Sequence, residues 1–130
     1  MIVRVLVVDD EPDVEALFRQ QFRREVRQGH YLLDFALSGE AALNKLDDIS
    51  GQQIILLVSD INMPGMSGIQ LLGTIRENYH HPSPVVMMVT AYGDDENYNQ
   101  AMDNGADDFL TKPLDFTLLK EKLKNLPHHD

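Results

Sequence analysis

The chain has no cysteine among its 130 residues. That excludes a disulfide frame and any thiol chemistry. It has no long apolar run: no stretch approaches the roughly 20 residues that a bilayer-spanning helix needs. Met1 leads straight into a short strand-like run closely followed by acids, which is not the layout of a secretory signal. A cytoplasmic location is the expectation. Positive charge is scarce. Eleven Lys and Arg stand against 21 Asp and Glu, a formal net charge of −10. Such a surface repels phosphate backbones, so neither nucleic acid nor membrane is expected as a partner. Internal repeats, low-complexity segments and internal linkers are also missing.

What is present fits one domain over residues 1–126, with 127–130 as a tail or the start of a linker. The content of 43% hydrophobic and 25% charged residues is ordinary for a globule. Strand-like and helix-like stretches alternate five times. Ile2 to Val8, Ile54 to Val58 and Val85 to Val89 are almost wholly apolar, as strands buried on both faces are. Tyr31 to Leu37 alternates and carries Asp34, which predicts an edge strand. Phe109-Leu110 marks a short fifth strand. The helical period predicts one helix over Asp13 to Gln28, with Val14, Leu17, Phe18, Phe22 and Val26 facing the core and Gly29 ending it. Ser38 is placed to cap a second helix. Leu71, Leu72, Ile75 and Tyr79 mark a third. The fourth, Asp95 to Asn104, offers only Tyr98, Ala101 and Met102 to a core and should be weakly packed. Phe116, Leu119, Leu123 and Leu126 mark the last. The order reads as an α/β fold, five βα units wound around a parallel sheet with the first strand near its middle.

Asp9-Asp10, Asp60, Thr90 and Lys112 each sit just past one of the apolar runs. The carboxyl ends of strands in an open parallel sheet face one crevice, where ligands bind. Three carboxylates, a hydroxyl and an ammonium would then converge. Mg²⁺ takes hard oxygen ligands and usually keeps several waters. Without a cation the carboxylates repel: two like charges about 4 Å apart cost on the order of 4 kcal/mol at an effective dielectric of about 20. Asp9 and Asp10 alone would read as helix-capping acids. The convergence of all four positions points instead to a divalent cation and a phosphoryl group.

The motifs Val7-Val8-Asp9-Asp10-Glu11, Asp60-Ile61-Asn62-Met63-Pro64-Gly65-Met66-Ser67-Gly68, Thr90-Ala91 and Thr111-Lys112-Pro113 stand in this order along the chain. Together they resemble the signature of a response-regulator receiver domain of two-component signalling systems, over nearly the whole chain. The resemblance implies a flavodoxin-like sheet of strand order 2-1-3-4-5. It implies Asp60 as the phosphoacceptor, a carboxylate nucleophile forming an acyl phosphate. It implies Asp10, Asp60 and the backbone carbonyl of Asn62 as Mg²⁺ ligands, with Mn²⁺ as a substitute, and Asp9 acting through a metal-bound water. Thr90 would hydrogen-bond one phosphoryl oxygen and Lys112 would pair with another. Phe109 falls at the family's aromatic switch position, and the bond before Pro113 is expected to be cis. Asn62 and Tyr92 would flank the path of a hydrolytic water. Implied partners are a histidine kinase or histidine phosphotransfer protein, and a downstream output domain or partner protein. The implied catalysis is limited to the domain's own phosphorylation and dephosphorylation.

Other features read more plainly. Arg19, Arg23, Arg24 and Arg27 form a stripe that reads as a solvated face, with Glu15 supporting Arg19; kinase docking is its functional alternative. His80-His81 and His128-His129 read as loop and tail residues. A small phosphatase working through an aspartyl phosphate is the rival function. Such enzymes carry the nucleophile after the first strand in an Asp-x-Asp pattern and their paired acids late, the reverse of this order. A flavin-binding module of similar topology would need a phosphate-cradling Ser/Thr/Gly loop where Asp9-Asp10-Glu11 stands.

Overall fold

The computed structural model describes residues 3–49, 54–79, 83–91 and 93–125. Tyr92, His80-His81, Leu126 and the tail with His128-His129 lie outside them. Five parallel strands form one sheet in the order β2-β1-β3-β4-β5. They are β1 (Val3–Val8), β2 (Tyr31–Ala36), β3 (Ile54–Asp60), β4 (Val85–Thr90) and β5 (Asp108–Thr111). The helices are α1 (Asp13–Gln21), α2 (Arg23–Arg27), α3 (Gly39–Asp48), α4 (Gly68–Asn78), α5 (Asp95–Asp103) and α6 (Phe116–Lys124). The expected topology is the observed one.

Successive residues of the central strands feed opposite faces of the sheet. Val5 and Val7 join Leu56, Val58, Met87 and Val89 in a core closed by Phe18 and Phe22 and by Leu119 and Leu123 of α6. Leu6 and Val8 join Leu57, Val86 and Met88 in the opposite core, closed by α3, α4 and Ala101 of α5. Both faces are therefore covered, and the strands read as continuous apolar runs because neither side meets water. At the edge, β2 is only partly buried, and its Asp34 accepts from Arg4 Nε at 2.7 Å.

The single helix expected over Asp13 to Gln28 is two helices. Phe22 breaks it with φ −102° and ψ 11°. The cause is tertiary. Phe22 is fully buried, stacks on Phe18 at 5.9 Å, and meets Tyr31 and Phe116 edge-on. These rings fill the core beneath the helix, so Leu17 and Val26, expected inside, are 42% and 38% exposed. Gly29 follows α2 with φ +78°, a conformation open to glycine at no steric cost. Met102, also expected inside, is 38% exposed, and Ala101 is the one buried residue of α5. Ser38 caps α3 as expected, its hydroxyl accepting from the Ala41 N–H at 3.1 Å.

Arg76 of α4 has a role that no local pattern announced. Its guanidinium donates to the Gly105 carbonyl, to Ser83 Oγ and the Pro84 carbonyl, and to Asp107 Oδ2, at 2.7 to 2.9 Å. It ties α4 to the start of β4 and to the turn after α5. Among the described residues no helix is long and apolar enough to cross a membrane.

Candidate functional site

Asp60 ends β3 and is 5% exposed. Its Oδ2 accepts from Lys112 Nζ at 2.9 Å, and its Oδ1 accepts from the Asn62 backbone N–H at 3.2 Å. Register explains the gathering. Val8 lies opposite Ser59, so Asp9 and Asp10 emerge beside Asp60. On the other side Val89 lies opposite Asp60, and Thr90 lies opposite Thr111. The Lys112 N–H then donates to the Thr90 carbonyl at 2.8 Å, and the Lys112–Pro113 bond is cis. One carboxylate oxygen from each of Asp9, Asp10 and Asp60 lies within 4.8 Å of the others. Thr90 is buried at the end of β4, and Asp10 is exposed.

Neither Asp9 nor Asp10 caps the following helix. The N-cap of α1 is Pro12, without a side-chain cap, and Asp9 Oδ1 instead accepts from the Glu11 N–H at 2.9 Å. Burial pushes the Asp9 carboxyl above its usual value. The Glu11 amide opposes that shift, the Asp60 charge adds to it, the Lys112 charge opposes it, and the Asp10 charge adds to it. For Lys112, burial pulls the ammonium down, but the hydrogen bond to Asp60 and the charges of Asp60, Asp9 and Glu11 together push it up. The ammonium therefore stays protonated against the acidic cluster. Three carboxylates crowded around one point form a donor set that fits a hard divalent cation.

The loop that carries Asp60 onward is held by contacts the sequence did not signal. Ser59 Oγ donates to the Asp60 carbonyl at 3.0 Å. The Gly68 N–H donates to the Ile61 carbonyl at 2.8 Å. A Cβ at Gly68 would lie 2.4 Å from the Asp60 carbonyl oxygen and 2.8 Å from Ile61 Cα. Only a glycine lets the start of α4 come this close to the end of β3. Further along the crevice, Phe109 of β5 is half-buried and meets Tyr98 of α5 edge-on, ring centres 4.2 Å apart.

The sequence profile of the response regulator receiver domain matches residues 5–124. The chain belongs to that family. Receiver domains are signalling domains of two-component regulatory systems, and the acids that hold their Mg²⁺ correspond in type to the cluster described above. Among relatives, the response regulator protein PilR of Pseudomonas aeruginosa is 35% identical over 118 residues, 91% of this chain and 24% of the relative. The regulatory protein VanRB of Enterococcus faecalis is 35% identical over 126 residues, 97% of this chain and 53% of the relative. The chain thus spans a quarter to a half of these relatives' lengths. The solved structure of the chemotaxis protein CheY4 of Vibrio cholerae superposes with a TM-score of 0.79 at 25% identity, covering 97% of this chain and 100% of that one.

Proposed function

We propose that this receiver accepts a phosphoryl group on Asp60 from a histidine kinase or a histidine phosphotransfer protein, in a reaction that depends on Mg²⁺. The observation that carries the reading is the buried Asp60 carboxylate, bonded to Lys112 and crowded by Asp9 and Asp10 at the strand ends. An Asp60 oxygen attacks phosphorus and forms the O–P bond of an acyl phosphate. The P–N bond to the donor histidine breaks, and its electron pair returns to the imidazole. Phosphoryl transfer needs mainly positioning and charge neutralisation. The strand register positions Asp60, and Lys112 follows the charge from the carboxylate to a phosphoryl oxygen. Asp9, Asp10, Asp60 and the backbone carbonyl of Asn62 would hold the cation, which supplies charge neutralisation when bound. Thr90 takes another phosphoryl oxygen.

The altered site then biases the surface of α5, β5 and α6 through Thr90 and Phe109. That surface controls an output domain or a partner protein. Residues 1–126 form the working unit, and the site of action is the cytoplasm. Acetyl phosphate with Mg²⁺ should add one acid-labile phosphoryl group to the chain. Equal labelling of Asp60→Asn and wild type would overturn the assignment.

A further inference from the structure

A cleft of about 380 Å³ opens between the start of α4 and the outer face of α5, within the size range of ligand sites. Its floor is apolar, from Ile61, Met63 and Ile69. Its rim carries Gln70, Asn97 and Gln100. All eight lining residues are uncharged, in a chain where 25% of residues carry charge.

Two rim amides are fixed in orientation by bonds outside the cleft. Gln70 Oε1 accepts from the Ser67 N–H at 2.9 Å, completing the capping box of α4, which leaves the amide NH₂ as a donor. Asn97 Nδ2 donates to Asp94 Oδ2 at 2.6 Å, which leaves Oδ1 as an acceptor. Neither remaining group has a partner among the described residues. The rim therefore offers one oriented donor and one oriented acceptor above an apolar floor. A peptide unit presents the complementary pair, one C=O and one N–H.

We infer that this cleft docks an extended, uncharged segment of a partner protein, seating one aliphatic side chain over Met63 and its backbone against Gln70 and Asn97. A neutral lining beside Asp94 favours such a segment over acidic or nucleic-acid ligands, whose charges would enter without a counter-charge. The surface adjoins the Asp60 crevice through Ile61 and Asn62, but docking does not require Asp60 to accept a phosphoryl group.

The test uses the full chain, amide-resolved NMR, and the blocked tripeptide acetyl-Ala-Leu-Ala-methylamide, titrated into the tens-of-millimolar range. Saturable shifts should group on residues 61–63, 67–70 and 97–100. The same peptide with Asp in place of Leu should bind at least fivefold more weakly, an order-of-magnitude expectation for putting an uncompensated charge in the cleft. Gln70→Glu is the deciding variant. It keeps the side-chain oxygen that completes the capping box, so the helix start survives, but it removes the donor. Its binding should weaken roughly five- to tenfold. No saturable shifts, shifts centred elsewhere, equal binding of the Asp peptide, or wild-type affinity in Gln70→Glu would each overturn the inference.

Discussion

At the scale of single residues, the ionised Asp9 works against folding. Its carboxyl is raised above its ordinary value, first by burial and then by the Asp60 and Asp10 charges. An acid whose folded-state value is raised binds its proton more tightly when folded, so its ionised form costs stability once pH exceeds the ordinary value. Asp9→Asn should therefore raise the melting temperature by a few degrees at neutral pH in chelator. The gain should fade as pH falls through the carboxylate range, where wild type protonates; a gain that is constant with pH would place its origin elsewhere. Mg²⁺ should stabilise wild type by binding only the assembled cluster, and Asp10→Asn should lose most of that shift. Thermal melts with and without Mg²⁺ read both effects, and an undiminished Mg²⁺ shift in Asp10→Asn would remove Asp10 from the ligand set.

Tyr79 follows the same linkage at the other end of the pH scale, but there the effect at neutral pH is favourable. Burial, the hydrogen bond it donates to Asp47, and the Asp47 charge push its phenol up from 10.0 to about 12. The folded chain keeps this proton after the unfolded chain has lost it. The contribution of Tyr79 is thus complete below pH 10 and is lost as pH rises from 10 to about 12. Tyr79→Phe should cost about 0.5–1.5 kcal/mol at neutral pH, the typical net value of one hydrogen bond. The gap between variant and wild type should close across the alkaline window, as read by urea denaturation at a series of pH values. A gap that stays the same would show that the bond to Asp47 does not hold the phenol proton.

Elements were legible in the sequence where their burial is uniform. The three central strands are covered on both faces, so their apolar runs marked them; β3 and β4 run one or two residues further than the apolar runs, to Asp60 and Thr90 themselves, and Asp9 follows β1. The break at Phe22 was not legible, because nothing in Gln21-Phe22-Arg23 disfavours a helix; the rings of Tyr31 and Phe116 impose it from outside. Nothing local marks Arg76, since its partners Gly105 and Asp107 lie 29 and 31 residues away. The motif that ends in Gly68 gives no reason for its glycine, whose requirement is close approach to the Asp60 carbonyl. The atoms in its way are backbone, which cannot swing aside. Gly68→Ala should cost about 1–3 kcal/mol, as overpacking does, and should weaken the Mg²⁺-induced melting shift by displacing the Asp60–Asn62 turn. Wild-type stability together with a wild-type Mg²⁺ response would show that α4 moves away freely.

Across the whole molecule, the proposed function needs a signal from Asp60 to reach a surface through elements that can move. The helix that follows Thr90, α5, is lightly packed: Ala101 is its only buried residue. What ties its middle to the sheet is the edge-on contact of Tyr98 with Phe109 at 4.2 Å. An aromatic pair of this kind contributes about 0.5–1.5 kcal/mol beyond burial, enough to bias a loosely packed helix but not to lock it. Two arrangements of Phe109 would then present different contacts to Tyr98, and a ligand shifts an equilibrium only through such differential contacts. On adding a phosphoryl mimic with Mg²⁺, amide shifts in wild type should cluster over residues 90–91, 94–104 and 109–119. In Tyr98→Ala, the shifts at Thr90 and Phe109 should persist while those along α5 shrink several-fold, because the ring that relays them is gone. Undiminished shifts along α5 in that variant would show that coupling runs through the backbone of the Thr90 loop instead.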